Sequence, residues 1–299
     1  MRADCFGIGD NMKQQSVTPI LELQGVSFRY PDGSVGLDSC SLSIERGSRS
    51  VVLGANGAGK TTLFLHLNGI LRPQSGTVLY SGAPLDYGRQ GLRELRSRIG
   101  LVLQNPDSQL FSASVREDVS FGPLNLGLEK RAVRERVEEA LQAVGLTDCA
   151  DKPVHNLSFG QKKRACIAGV LAMRPEVMVL DEPTAGLDAA MQLGLTQILE
   201  RLHSEGMTIV IATHDIDFAY QWGDSTTILA KGSCAATWET PHIANSLELF
   251  ASHGLGVPRV AELHNCLVNG KVLERGKSLP RSHGELLRAI ASLVESSTS

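Results

Sequence analysis

A chain of 299 residues, 42% hydrophobic and 20% charged, holds enough apolar material for one large α/β domain and a small appendage. Its 29 basic residues are outnumbered by 32 acidic ones, a net charge of -3, which argues against a clustered basic surface of the kind that grips a nucleic-acid backbone. Six cysteines (Cys5, Cys40, Cys149, Cys166, Cys234, Cys266) form no CxxC pair, as expected of reduced thiols, and no apolar run or leader-like N-terminus predicts a membrane span or secretory signal.

In chain order, residues 1–16 are polar and aperiodic and read as a disordered extension. Ile20-Leu21-Glu22-Leu23 and Val26-Ser27-Phe28 predict strand, Pro31-Asp32-Gly33 a turn, and Leu37 to Ile44 a half-exposed strand, together an antiparallel β start. Val51-Val52-Leu53 reads as a buried parallel strand, and Thr62 to Leu67 opens a helix. Gly76 to Tyr80 predicts strand, Leu92 to Arg98 a basic helical stretch, and Ile99 to Leu103 strand again. From Glu129 to Val144, Val133, Val137, Ala140, Leu141 and Val144 fall at helical spacing, with Gly145 as the stop. An apolar helix is expected at Ala165 to Met173, and another around Met191 to His203. Val177 to Leu180 and Thr208 to Ala212 have the continuous apolar character of strands buried in a parallel sheet. A smaller unit is expected from about Pro241. Its last helix would carry Leu286, Leu287, Ile290, Leu293 and Val294 on one face, before a disordered Ser/Thr tail.

Between the strand at Val51 and the following helix lies Gly54-Ala55-Asn56-Gly57-Ala58-Gly59-Lys60-Thr61. Its glycines let the backbone curl so that several N–H groups point at one anion, Lys60 can reach terminal phosphates, and the Thr61 hydroxyl can ligate Mg²⁺. Strand, loop and helix stand in the order that a phosphate cradle requires; a flexible surface glycine loop is the plainer alternative. Leu180-Asp181-Glu182-Pro183 places two carboxylates at a strand tip, where α/β sheets bind ligands. Asp181 would hold the metal, through water or through Thr61, and Glu182 would polarise the water that attacks a γ-phosphate. His214, in Ala212-Thr213-His214-Asp215, reaches the same rim, where it could contact the γ-phosphate and support Glu182. Gln104 closes the strand at Ile99, and its amide oxygen could reach Mg²⁺ or the attacking water.

Leu157-Ser158-Phe159-Gly160-Gln161-Lys162-Lys163-Arg164, just upstream of the helix at Ala165, resembles the signature of ATP-binding cassette ATPases. Other elements of that family stand in order over residues 19–240: Tyr30 as an adenine-stacking aromatic, Gln104 in the Q-loop, Ala185-Gly186-Leu187-Asp188 as the D-loop and His214 as the switch. The resemblance implies a P-loop ATPase core with an antiparallel β subdomain and a helical signature subdomain over residues 17–240, and a C-terminal helical extension over 241–299 used in dimer contact. It implies ATP and Mg²⁺ as cofactors: residues Gly54 to Thr62 hold the nucleotide, Thr61, Gln104 and Asp181 surround the metal, and Glu182 and His214 are catalytic. Ser158, Gly160 and Gln161 lie at a helix N-terminus, whose free N–H groups and positive dipole end suit a phosphate. In the family that helix faces the γ-phosphate of ATP bound to the other subunit, so hydrolysis requires dimerisation; the resemblance also counts Asp188 of the D-loop among the nucleotide-binding residues. Two residues depart from the pattern: Phe159 stands where glycine is usual and Ala189 where proline is frequent. Neither removes a phosphate ligand. Phe159 should keep an ordinary φ, and activity should be retained.

The run from Val102-Leu103-Gln104-Asn105-Pro106 through Phe111, and on from Val115 to Leu128, is similar to the energy-coupling-factor and cobalt-uptake ATPases. Phe159 to Met173 resembles the cobalt branch more than the vitamin branch. This likeness implies an ATP-hydrolysing importer subunit, peripheral on the cytoplasmic face of the cell membrane, energising uptake of cobalt or nickel by dimer closure and opening. Its partners would be a second ATPase subunit, identical or homologous, a membrane coupling subunit and a substrate-binding membrane subunit, with no nucleic acid. Vitamin import is the alternative. A soluble cassette ATPase of DNA repair or translation fits less well, because no sustained heptad run separates Gly54 from Ser158; a regulatory module without catalysis is opposed by the presence of both Glu182 and His214. His242, His253, His264 and Cys266 are spaced too irregularly for a site for the transported metal.

Overall fold

A computed structural model describes residues 18–239, 250, 255–273 and 279–297, the last five by backbone alone. The extension at 1–16, the boundary near Pro241 and the side chains of Leu293 and Val294 lie outside the described residues. The first strands are β1 (Leu21–Arg29) and β2 (Val35–Ile44), paired antiparallel. The two short strands expected at Ile20 and Val26 are one strand, interrupted by Gly25 at φ 57° where the register shifts. β3 (Arg49–Leu53) leads into α1 (Lys60–Leu67). β4 (Ser75–Tyr80) and β5 (Ala83–Pro84) complete an antiparallel sheet in the order β2-β1-β4-β5.

After α2 (Arg89–Arg98) and β6 (Ile99–Val102) the chain becomes helical: α3 (Val115–Asn125), α4 (Lys130–Ala143) and α5 (Phe159–Leu171) pack together. Sequence periodicity predicts α4 well, since Val133, Val137, Ala140 and Leu141 form its buried stripe. It does not reveal α3, whose first turn is capped by Ser114 and whose end contains Gly122-Pro123. The helix expected from Ala165 begins six residues earlier, at Phe159, because Ser158 and Gln161 form a capping box.

β7 (Val177–Asp181), α6 (Ala189–Ser204), β8 (Thr208–Thr213), α7 (Ile216–Trp222), β9 (Ser225–Ala230) and β10 (Ser233–Glu239) finish the core sheet, in the order β10-β9-β3-β8-β7-β6. β3, β6, β7, β8 and β9 are parallel; β10 pairs antiparallel to β9. β7 and β8 are buried along their whole length, as their unbroken apolar runs predict. Strand alternation divides the sheet between two layers. Val52, Val179 and Val210 pack with Phe64 and the antiparallel sheet, whereas Val51, Met178 and Ile211 pack with the helical layer. Each such side chain contributes about 1.5–3 kcal/mol on burial.

At the C-terminal end, Phe250 stacks on Trp238 with centroids 5.5 Å apart, and α8 (Arg259–Asn269) packs with α9 (His283–Ser297) through Val260 and Leu286. One expectation fails: Leu287 is 65% exposed. A 100° step from Leu286 turns it off the buried face, so only part of the expected stripe is core. The helix also runs through Ser297, into the expected Ser/Thr tail. The five described cysteines are free thiols.

Candidate active site

The loop between β3 and α1 is shaped by positions that exclude a side chain. At Gly59, φ is 106°, and a Cβ would stand 2.5 Å from the Gly36 carbonyl oxygen; at Gly54 it would meet the Leu229 carbonyl oxygen at the same distance. α1 begins at this loop without a side-chain N-cap, leaving its first N–H groups and positive dipole end directed at the cleft. Lys60, 6% exposed, donates to the carbonyls of Gly54 at 2.7 Å and Ala55 at 3.2 Å. Its ammonium also pairs with Glu182 Oε1 at 3.2 Å.

β7 ends on Asp181 and carries both carboxylates to this cation. Thr61 Oγ1 donates to Asp181 Oδ2 at 2.5 Å. Asp181 is 2% exposed, and burial raises its pKa against the opposing pull of the Thr61 hydroxyl. Glu182, 4% exposed, takes φ 46°, a conformation rare for a side-chain-bearing residue. The same Oε1 that meets Lys60 accepts from His214 Nδ1 at 2.9 Å, which fixes the proton on that nitrogen because a carboxylate only accepts. β8 delivers His214, and Asp215 caps the helix that follows.

Tyr30, Asn56, Gly57, Gly59, Lys60, Thr61, Thr62, Gln104, Asp181 and Glu182 line one cleft of about 490 Å³. Ala58 is buried beneath the loop. The Tyr30 hydroxyl lies 2.9 Å from Thr62 Oγ1, and its ring meets Phe28 edge-on. Ser34, Val35 and Gly36 also line the cleft but carry no sequence signal. Gly36 is required by contact: a Cβ there would lie 2.8 Å from the Thr62 methyl and 3.1 Å from the Tyr30 ring. Glycine loop and carboxylates thus share a cleft that His214 does not line but reaches through its hydrogen bond to Glu182; the cleft's donors and acceptors suit a polyphosphate with a divalent cation, for which Thr61, Gln104 and Asp181 could offer oxygen ligands.

Ser158, Gly160, Gln161 and Asp188 line a different cleft, of about 380 Å³, together with Lys163 and Met191. Within one chain they do not join the glycine loop. Ser158 Oγ accepts from the Gln161 N–H at 3.3 Å, and Gln161 Oε1 accepts from the Ser158 N–H at 2.9 Å. Asp188 caps α6 through the Met191 N–H at 2.8 Å. Phe159 keeps an ordinary helical φ, as expected, since it is not among the positive-φ residues. Lys163, one turn further, is 3% exposed, and burial pushes its pKa down to about 8.

The family profile of the ABC transporter matches residues 37–185. The energy-coupling factor transporter ATP-binding protein of Methanocaldococcus jannaschii is 48% identical over 244 residues, 82% of this chain and 88% of that protein. The cobalt import ATP-binding protein of Rhodobacter capsulatus is 45% identical over 275 residues, 92% and 98% of the two chains. Among solved structures, CbiO1 of Clostridium perfringens, part of the ABC transporter complex CbiONQ, superposes with TM-score 0.71 at 43% identity, covering 83% of this chain and 99% of that one. A dimeric ATP-binding cassette in a post-hydrolysis state bound to ADP and Pi gives TM-score 0.67 at 27% identity, over 74% and 98%. With the P-loop core, antiparallel β subdomain, helical signature subdomain and C-terminal helices in place, this chain belongs to the ATP-binding cassette ATPases of the energy-coupling-factor and cobalt-uptake importer family, as the ATP-binding subunit whose hydrolysis is coupled to transport.

Proposed function

We propose that the subunit binds Mg²⁺-ATP in the cleft at Lys60 and hydrolyses it with Glu182 as general base, to energise cobalt uptake. The observation that carries the base assignment is the single buried carboxylate oxygen of Glu182 shared by Lys60 and His214. Lys60 and the loop amides of Gly54 to Thr62 hold the phosphates, Tyr30 stacks on adenine, and Thr61, Gln104 and Asp181 organise the metal. Glu182 takes the proton of the attacking water, and His214 orients its carboxylate and contacts the γ-phosphate. Substituting Glu182→Gln keeps the shape but removes the base; turnover should fall by about 10²–10⁴ while ATP still binds. Hydrolysis at the wild-type rate in that variant would refute the assignment.

Placement of Ser158, Gly160, Gln161 and Asp188 away from the glycine loop supports a dimer in which each signature completes the partner's nucleotide site. ATP then closes the dimer and hydrolysis reopens it. A groove of about 980 Å³ beside Gln109 supports attachment to a membrane coupling subunit at the cytoplasmic face. Phe111 and Phe121, 65% and 50% exposed, form an edge-to-face pair along it, an apolar surface suited to a helix of another chain. Cobalt is favoured by the cobalt import relative. The energy-coupling-factor relatives favour vitamins as the second reading. ATP-dependent uptake of radioactive cobalt by the reconstituted complex decides between them: no cobalt uptake beside uptake of a vitamin would overturn the metal assignment.

A further inference from the structure

We infer that Lys163 is a positioning residue: from the signature helix it holds the Glu182–Pro183 turn in place, and Phe159 shields its ammonium from water. The inference rests on the role proposed above for Glu182 and explains what a phenylalanine does at the second position after Leu157.

Lys163 Nζ donates to the Glu182 carbonyl at 2.8 Å and to the Pro183 carbonyl at 3.0 Å. The Phe159 ring takes the remaining side, its centroid 5.4 Å from Nζ. An ammonium buried to this degree stays charged only where such partners replace its water. On the other side of the turn, the Glu182 N–H donates to the Ala212 carbonyl at 2.9 Å. Both polar groups of the Glu182 backbone are therefore clamped, the N–H by β8 and the carbonyl by Lys163 of α5 together with the Ala185 N–H at 3.2 Å, around a residue held at φ 46°. Release of the α5 clamp would let the carboxylate turn away from Lys60 and His214.

Phe159 also touches the segment after the turn. A Cβ on Gly186 would lie 2.9 Å from Phe159 Cε1, so ring and glycine fit each other. α5 is capped by Ser158 and reaches Lys163 within its second turn. One rigid helix end thus carries the signature serine, the clamp on the base and the contact with the D-loop, so a displacement of the signature moves the Glu182 turn of the same chain.

Full-length protein carries the test. Lys163→Met removes the ammonium at similar length. Its kcat for ATP hydrolysis should fall about ten- to a hundredfold, the loss that a misplacement of about 1 Å brings. The dissociation constant for ATP should stay within about twofold, since no phosphate ligand is touched. Placed on Glu182→Gln, the same substitution should slow turnover no further, because both disable one step. A wild-type kcat, equal losses of kcat and ATP affinity, or additive slowing would each overturn the inference. Should Lys163→Met fail to fold, Phe159→Ala, at an exposed position, decides: kcat should drop about threefold or more with ATP affinity unchanged, and an unchanged kcat overturns the proposal. Wild-type turnover by Glu182→Gln would instead show that the base assignment had failed, and the inference with it; a slow Glu182→Gln beside a fast Lys163→Met condemns the inference alone.

Discussion

Thr61→Val isolates one hydrogen bond at the centre of the site. The substitution is close to isosteric and removes the hydroxyl that donates to Asp181 Oδ2 at 2.5 Å. Asp181 is 2% exposed, so water cannot freely replace the donor, and a lost hydrogen bond to a charged group costs about 1.5–3 kcal/mol. Thr61 itself is exposed, which allows some solvent access and places the expectation in the lower half of that range. The same change has a predictable pH dependence. Burial already raises the folded-state pKa of Asp181, and the Thr61 hydroxyl opposes it; without the hydroxyl the value rises further. The native state of the variant then holds its proton to higher pH than that of the wild type. Its deficit is full at neutral pH and shrinks as the medium is acidified and Asp181 is protonated in both proteins. Urea unfolding without nucleotide, repeated across pH, measures this, with Thr61→Ser as the control that keeps the donor. An equal deficit in Thr61→Ser, or no deficit at neutral pH in Thr61→Val, would refute the reasoning.

Gly59→Ala should destabilise the protein by at least about 1–3 kcal/mol from its backbone conformation alone, and abolish ATP binding, because the new Cβ would sit 2.5 Å from the Gly36 carbonyl oxygen; denaturation together with equilibrium nucleotide binding checks both. Glu176 predicts an acid limb. Burial raises its pKa, but hydrogen bonds from Arg46 at 2.7 Å and from Arg98 outweigh this and hold it below the ordinary carboxylate value. A depressed folded-state pKa stabilises above the unfolded value, near pH ~4.3, and the benefit disappears as pH falls through the folded one. Both arginines are about half exposed, so Glu176→Gln should cost only about 0.5–1 kcal/mol at pH 7. The gap should close in acid; a gap that widens there would contradict the sign.

Local chemistry reads directly from a sequence when its partners are near in the chain or when burial imposes a period. Gly54 to Thr61 between an apolar strand and a helix, the Asp181-Glu182 strand tip, and the apolar runs of β7 and β8 were legible on those grounds. So was the helical stripe of α4. The α3 helix was not, because capping at Ser114 starts it without a clean apolar period. Nor were Leu287 on the exposed side of α9 and the reversal of β10 against β9, since only packing decides which partly apolar face is covered.

A phosphate-binding loop, two carboxylates and a histidine in an order suited to ATP chemistry are legible residue by residue, because each motif is local and carries its own physical reason. Packing between distant segments brings Lys60, Asp181 and Glu182 into one cleft, sets His214 against Glu182, and leaves Ser158 and Gly160 lining another cleft. It also placed the Lys163 ammonium on the backbone of Glu182 across 19 residues. Such contacts join segments far apart in the chain, and their distances follow from how helices and strands pack, which no local pattern of residues encodes.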